Sequence, residues 1–187
     1  MNRRNFLDKG TLVATSLLVS PNILNAELKN NKKLSLEKSQ SYVISTWDVP
    51  QANLIAGNAL EKGMNCLEAA VKGVAVEEAN LKNSSVGKGG IPDRDGTVTL
   101  DACVMDYKGN CGAVLAVENI THVAGLAKDV MDKTPHVILA GKGARKFALE
   151  QGYIAENLLT ESSRKAWKKW LKNGNYKPEI NVENHDT

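Results

Sequence analysis

Thr187 is the residue with the most chemical potential in this sequence; it closes the run Asn184-His185-Asp186-Thr187. A threonine hydroxyl is a weak nucleophile at neutral pH. A threonine at a chain N-terminus carries its own base, the free α-amine, beside that hydroxyl. Here the Thr187 amine is tied up in the bond to Asp186. Two readings follow: either the run is an ordinary polar tail, or the chain is the front part of a longer precursor cut at Asp186–Thr187. The common catalytic arrangements are missing, with no Gly-x-Ser-x-Gly elbow and no His-Glu-x-x-His. Three cysteines, Cys66, Cys103 and Cys111, make an odd count and have no evident histidine partner. They read as small buried hydrophobes. No Cys/His cluster has metal-ligand spacing, so neither a metal nor a cofactor is expected. His122 and His136 stand where a helix and a strand begin and read as structural. The other candidate is Trp47, at the end of the run Ser41 to Trp47.

The elements around these residues alternate. Ser41 to Trp47 is rich in β-formers and reads as a first strand. Pro50 suits the first turn of a helix that runs from Gln51 to Lys62. Asn65 can cap a second helix, whose pattern ends near Asn83-Ser84. Ser85 to Gly96 is the densest cluster of turn residues. It lacks a GKS or GKT ending and precedes a strand, which argues against a phosphate loop. Asp93 and Asp95 could hold a cation, pair with Arg94, or simply form a solvated turn. Thr97 to Met105, a turn at Asp106 to Gly109, and Cys111 to Val117 read as a hairpin, with Cys103 and Cys111 flanking its turn. A helix over Val123 to Lys133, a buried-type strand from His136 to Ala140 and a helix over Ala144 to Gln151 follow. The last helix ends at Lys172, with Trp167, Trp170 and Leu171 as its apolar stripe and a solvated basic side. The order is mixed α/β with an antiparallel component, an α+β arrangement.

The chain has 187 residues and a net charge of +3, enough length for one domain with a sizeable core. Arg3, Arg4 and Lys9 against Asp8 account for most of that charge, so no nucleic-acid partner is expected. Residues 1–26 read as an export signal: a basic start, a short apolar core from Thr11 to Val19, and the small residue Ala26 at the end. The apolar run is too short for a membrane anchor. Paired arginines followed by Phe6-Leu7 fit a twin-arginine signal, with periplasmic export; an ordinary secretion signal is the alternative. Residues 27–40 read as a linker, 41–172 as the α/β domain, and 173–187 as a flexible tail.

Three stretches resemble the glycosylasparaginases (aspartylglucosaminidases). They are Ser45-Thr46-Trp47, the run from Ser85-Val86-Gly87 through Pro92-Asp93-Arg94-Asp95-Gly96 to Leu100-Asp101-Ala102, and Asn184-His185-Asp186-Thr187. Lys133-Thr134-Pro135-His136-Val137 and the Trp-rich helix are similar to that family as well. The resemblance implies part of a four-layer αββα sandwich of the N-terminal-nucleophile hydrolases, made as an inactive precursor. It implies self-cleavage at Asp186–Thr187, with His185 and Asp186 positioning or deprotonating Thr187. The freed Thr187 would be the catalytic nucleophile toward glycosylasparagine, and Trp47 would line the substrate site. A β part of the same precursor and an (αβ)2 assembly are the implied partners. A polypeptide ending at Thr187 is expected to have no amidase activity by itself and to leave sheet edges and apolar faces uncovered. Two other readings stand beside this one: a plant-type L-asparaginase or isoaspartyl peptidase, and an exported noncatalytic α/β fragment.

Overall fold

A computed structural model describes residues 40–174. The export signal, nearly all of the linker and the His185-Asp186-Thr187 run lie outside these residues. The described chain begins with a helical hairpin of α1 (Pro50–Glu61) and α2 (Cys66–Glu78). Pro50 occupies the first turn of α1, where its missing N–H costs nothing. Asn65 caps α2, its side chain accepting from the Glu68 amide at 2.9 Å. Ala52, Ala56 and Ala59 of α1 are buried, as are Ala69 and Gly73 of α2. A side chain at Gly73 would put a Cβ 2.7 Å from the Ala52 carbonyl oxygen, so the two helices touch backbone to backbone.

Helix α2 stops at Glu78, short of the expected end near Asn83-Ser84. Polar side chains take over the backbone there. Asn80 Oδ1 accepts from the Lys82 amide at 3.1 Å, and Asn83 Oδ1 from the Ser85 amide at 2.9 Å.

The sheet has three strands: β1 (Thr99–Met105), β2 (Cys111–Glu118) and β3 (Ile138–Ala140), in the order β1-β2-β3. β1 and β2 are antiparallel, with Met105 opposite Cys111 beside the turn and Thr99 opposite Glu118 at the far end. Asp106 builds that turn, its Oδ1 accepting from the amides of Lys108 at 2.8 Å and Asn110 at 2.9 Å. The register shifts between Leu100 and Ala102, where Ala116 takes φ +51° and its amide donates to Asp101 Oδ1 at 2.6 Å. This is a β-bulge pinned by a carboxylate. β3 runs parallel to β2, with Ala113 opposite Ile138.

Helices α3 (Val123–Lys133) and α4 (Gly141–Glu150) cover one face of the sheet. Leu100, Val114 and Val117 meet Val123, Leu126, Ala127, Val130, Ala144 and Ala148 there to form the core. α5 (Glu161–Asn173) closes the described chain. Among the described residues no helix is long and apolar enough to cross a membrane.

Several expectations need correction. Residues 41–47 join no sheet among the described residues. Val, Ile and Tyr favour strands only where a neighbouring ladder exists, and here Tyr42 and Ile44 are exposed. β3 is not buried: Ile138 is 52% exposed, because only one sheet face is covered. The cysteines are not buried either, since Cys66 and Cys103 are exposed and Cys111 is half-buried. Cys103 lies opposite Ala113 and Cys111 opposite Met105, so the two thiols are diagonal neighbours and both are free. On α5, Trp167 packs inward, whereas Trp170 and Leu171 are 45% and 43% exposed.

Candidate active site

Trp47 sits in a tight turn just ahead of α1. Its carbonyl oxygen accepts from the Val49 amide at 2.9 Å and from Ser45 Oγ at 2.8 Å. Asn53, in the first turns of α1, donates from Nδ2 to Ser45 Oγ at 2.9 Å. The residue as a whole is 69% exposed. It borders a cleft of about 490 Å³ whose apolar wall includes Ile44, Ala56, Ala70 and Val74. Ser85 and Asn83 bring polar groups to the same cleft. An apolar concavity with a few convergent polar groups is the usual form of a small-molecule site.

The Gly-rich loop contributes Ser85 and Val86 to one wall of this cleft. At Gly87 (φ +62°) a Cβ would collide with the Glu78 carbonyl and Cα, so only glycine fits. Asp93 closes its own turn: its Oδ1 accepts from the amides of Asp95 at 2.9 Å and Thr97 at 2.8 Å. Among the described residues no group of three or more acidic, cysteine or histidine side chains could hold a metal ion. Trp167 donates from Nε1 to the Arg94 carbonyl at 3.2 Å, and its ring covers Gly96, where a Cβ would come within 2.8 Å of it. The Trp-rich helix therefore serves the loop.

Two carboxylates that the sequence reading did not single out brace this wall. Glu78, 2% exposed, ends α2 and reaches α3. Its Oε1 accepts from the Ala124 amide at 2.9 Å, and its Oε2 lies 3.2 Å from His122 Nδ1. His122, at the N-cap of α3, makes no side-chain cap bond, so Glu78 does that work from another helix. Burial pushes the Glu78 carboxyl above its usual range, against the lowering pull of the Ala124 amide and His122. Glu156 pairs with Lys88 and accepts from Thr121 Oγ1. Lys88 first, then the Thr121 hydroxyl, hold its carboxyl below the usual range. Sequence separations of 46 and 68 residues hide both links from local patterns. The one local hint was Glu78 standing in line with Leu67, Val71 and Val74 on α2.

The structure thus places Trp47 at a cleft mouth beside Ser85. His185, Asp186 and Thr187 lie outside the described residues.

Comparison with known proteins follows the same lines. A family model described as Asparaginase matches residues 28–187. The N(4)-(beta-N-acetylglucosaminyl)-L-asparaginase of Elizabethkingia miricola is 47% identical over 189 residues, covering 100% of this chain and 54% of its own. The enzyme of the same name from Rattus norvegicus is 38% identical over 130 residues, covering 69% of this chain and 38% of its own. An Arabidopsis thaliana protein named "Probable isoaspartyl peptidase/L-asparaginase 3" is 34% identical over 161 residues, 84% of this chain and 45% of its own. The chain spans about half the length of the Elizabethkingia relative and less of the other two. With its mixed α/β fold and a family match over most of its length, the chain belongs to the asparaginase family of N-terminal-nucleophile hydrolases.

Proposed function

We propose that the full-length protein is an amidohydrolase. In this reading it cleaves the N-glycosidic amide of a glycosylated asparagine to L-aspartate and a glycosylamine. The observation that carries the reading is Trp47: a residue 69% exposed, bonded through its backbone and set at an apolar cleft. A flat aromatic surface with a polar edge suits a substrate that is apolar on one face and hydroxylated around its rim. The name of the Elizabethkingia relative, matched along the whole chain, supports the same substrate class.

Thr187 is the proposed nucleophile. Its Oγ attacks the Asp186 carbonyl carbon; the C–N bond breaks, an ester forms, and the hydroxyl proton ends on the released amine. His185 and Asp186 are proposed to position or deprotonate Thr187 in this step. Water then hydrolyses the ester and leaves Thr187 at a new N-terminus. In turnover, that α-amine takes the Thr187 hydroxyl proton as the oxygen attacks the side-chain amide of the substrate. A β-aspartyl ester forms, the amine passes its proton to the departing glycosylamine, and water releases aspartate.

A further part of the precursor fits the sheet as described. Cys103, Met105, Leu115 and Ile138 lie on the face that α3 and α4 do not cover, and all are exposed. A cleft of about 660 Å³ also opens between β1 and the α2 stripe of Leu67, Val71 and Val74. An (αβ)2 assembly and periplasmic export through a twin-arginine signal complete the proposal. The test is expression of the full-length protein beside its Thr187→Ala variant. Wild type should appear as two chains and release aspartate from glycosylasparagine; the variant should stay as one chain and release none. Two chains from the Thr187→Ala variant would overturn the role of Thr187. Preferential turnover of an isoaspartyl dipeptide would move the protein to the isoaspartyl peptidase reading.

A further inference from the structure

Trp47 poses a mechanical problem. Trp47 is mostly exposed, so packing does not fix its ring, and among the described residues no ladder pairs with it. What holds the residue is its carbonyl. The Val49 amide reaches that oxygen across a three-residue turn, a weak restraint alone. Ser45 Oγ supplies the second donor.

We propose that Asn53 and Ser45 are positioning residues that set substrate affinity through Trp47; the inference rests on the substrate role of Trp47 given above. The chemistry fixes the direction of the chain of bonds. A serine hydroxyl has one proton, and the Trp47 carbonyl can only accept. Ser45 therefore spends its proton on Trp47, and Asn53 must approach Ser45 with its NH2 group, as it does at 2.9 Å. Donation runs one way, from Asn53 to Ser45 to Trp47, and each bond polarises the next. Asn53 also ties the other end of the turn, its backbone amide donating to the Val49 carbonyl at 3.2 Å. One residue thus clamps both ends of the five-residue turn that presents the indole.

Replacing Asn53 by Asp separates this role from simple bulk. Aspartate has nearly the same shape but cannot donate. It would draw the Ser45 proton toward itself and away from Trp47. In the full-length, processed protein, Asn53→Asp and Ser45→Ala should each raise KM for glycosylasparagine ~tenfold while kcat stays within about twofold, the pattern of lost uniform binding. Ser45→Thr keeps the hydroxyl and should keep KM near wild type. A second readout needs no substrate: 15N relaxation of the Trp47 indole N–H. It should show increased fast motion in Asn53→Asp and Ser45→Ala but not in Ser45→Thr. Unchanged KM and unchanged indole order in Asn53→Asp would overturn the proposal. Equal falls in kcat across all three variants would also overturn it, because they would mark a general loss of structure. If wild type does not turn over glycosylasparagine, the substrate reading fails, and the indole relaxation alone decides whether the clamp exists.

Discussion

The Gly-rich loop and the Trp47 turn lie on the same cleft and are held in opposite ways. In the loop, Asp93 turns its carboxylate onto the loop's own backbone, and Trp167 covers Gly96 from outside. Lys88 and Ser163 fasten the loop further, Lys88 to Glu156 and the Ser163 hydroxyl to the Gly89 carbonyl. The Trp47 turn has a few bonds at its base and an exposed ring above them. Both stretches carry the likeness to the glycosylasparaginases. The loop carries it as a scaffold, and the turn as a surface. The loop is distinctive because few sequences can adopt its path.

Mutations should split the two regions by stability, measured by urea unfolding of the full-length protein. Gly87→Ala is expected to be the most damaging, at about 4 kcal/mol, since it combines a left-handed backbone with a collision against the Glu78 backbone. Asp93→Ala, which frees the Asp95 and Thr97 amides, should cost about 1 kcal/mol. Trp47→Ala should cost less than about 0.5 kcal/mol, as expected for an exposed side chain. The same variant should raise KM for glycosylasparagine by at least ~tenfold. A Trp47→Ala protein as unstable as Gly87→Ala would erase the distinction.

The two bracing carboxylates extend the comparison to pH, with opposite signs. Glu78 holds its proton more tightly folded than unfolded, because burial raises its pKa above 4.5. Its cost is absent below that value and grows as pH rises through the raised folded pKa. Glu156 holds its proton less tightly when folded. Its contribution is complete above 4.5 and fades as pH falls through the lowered folded pKa. Urea midpoints across pH should lose the decline on the alkaline side of 4.5 in Glu78→Gln, and the decline on the acid side in Glu156→Gln. The Glu156 effect should be the smaller, under about 1 kcal/mol, because that pair is screened by solvent.

Local chemistry was legible wherever it was self-contained. Asn65 as a cap, Pro50 at a first turn, the Asp106 turn and the bounds of α3 all depend on neighbours within a few residues. The errors came where the outcome depends on distant partners. Ser41 to Trp47 has strand composition and no ladder among the described residues. β3 reads as buried because its residues are apolar, but only one face of its sheet is covered. Glu78 looks like the polar end of a helix until α3 folds against it. Trp47 was legible as a candidate from its motif, whereas its hold through Ser45 and Asn53 appears only once the chain folds back on α1. Thr187 was legible from its motif alone.

The β1–β2 bulge bears on how any further strand could join this sheet. Strands paired by backbone bonds alone can slide by two residues and keep their inner and outer faces. Here a slide would strip Asp101 from the Ala116 amide and move the left-handed residue away from its carboxylate. β1 is therefore indexed: Thr99, Asp101, Cys103 and Met105 occupy fixed addresses along an edge. A newcomer to that edge would therefore meet a template whose own register against β2 is already set.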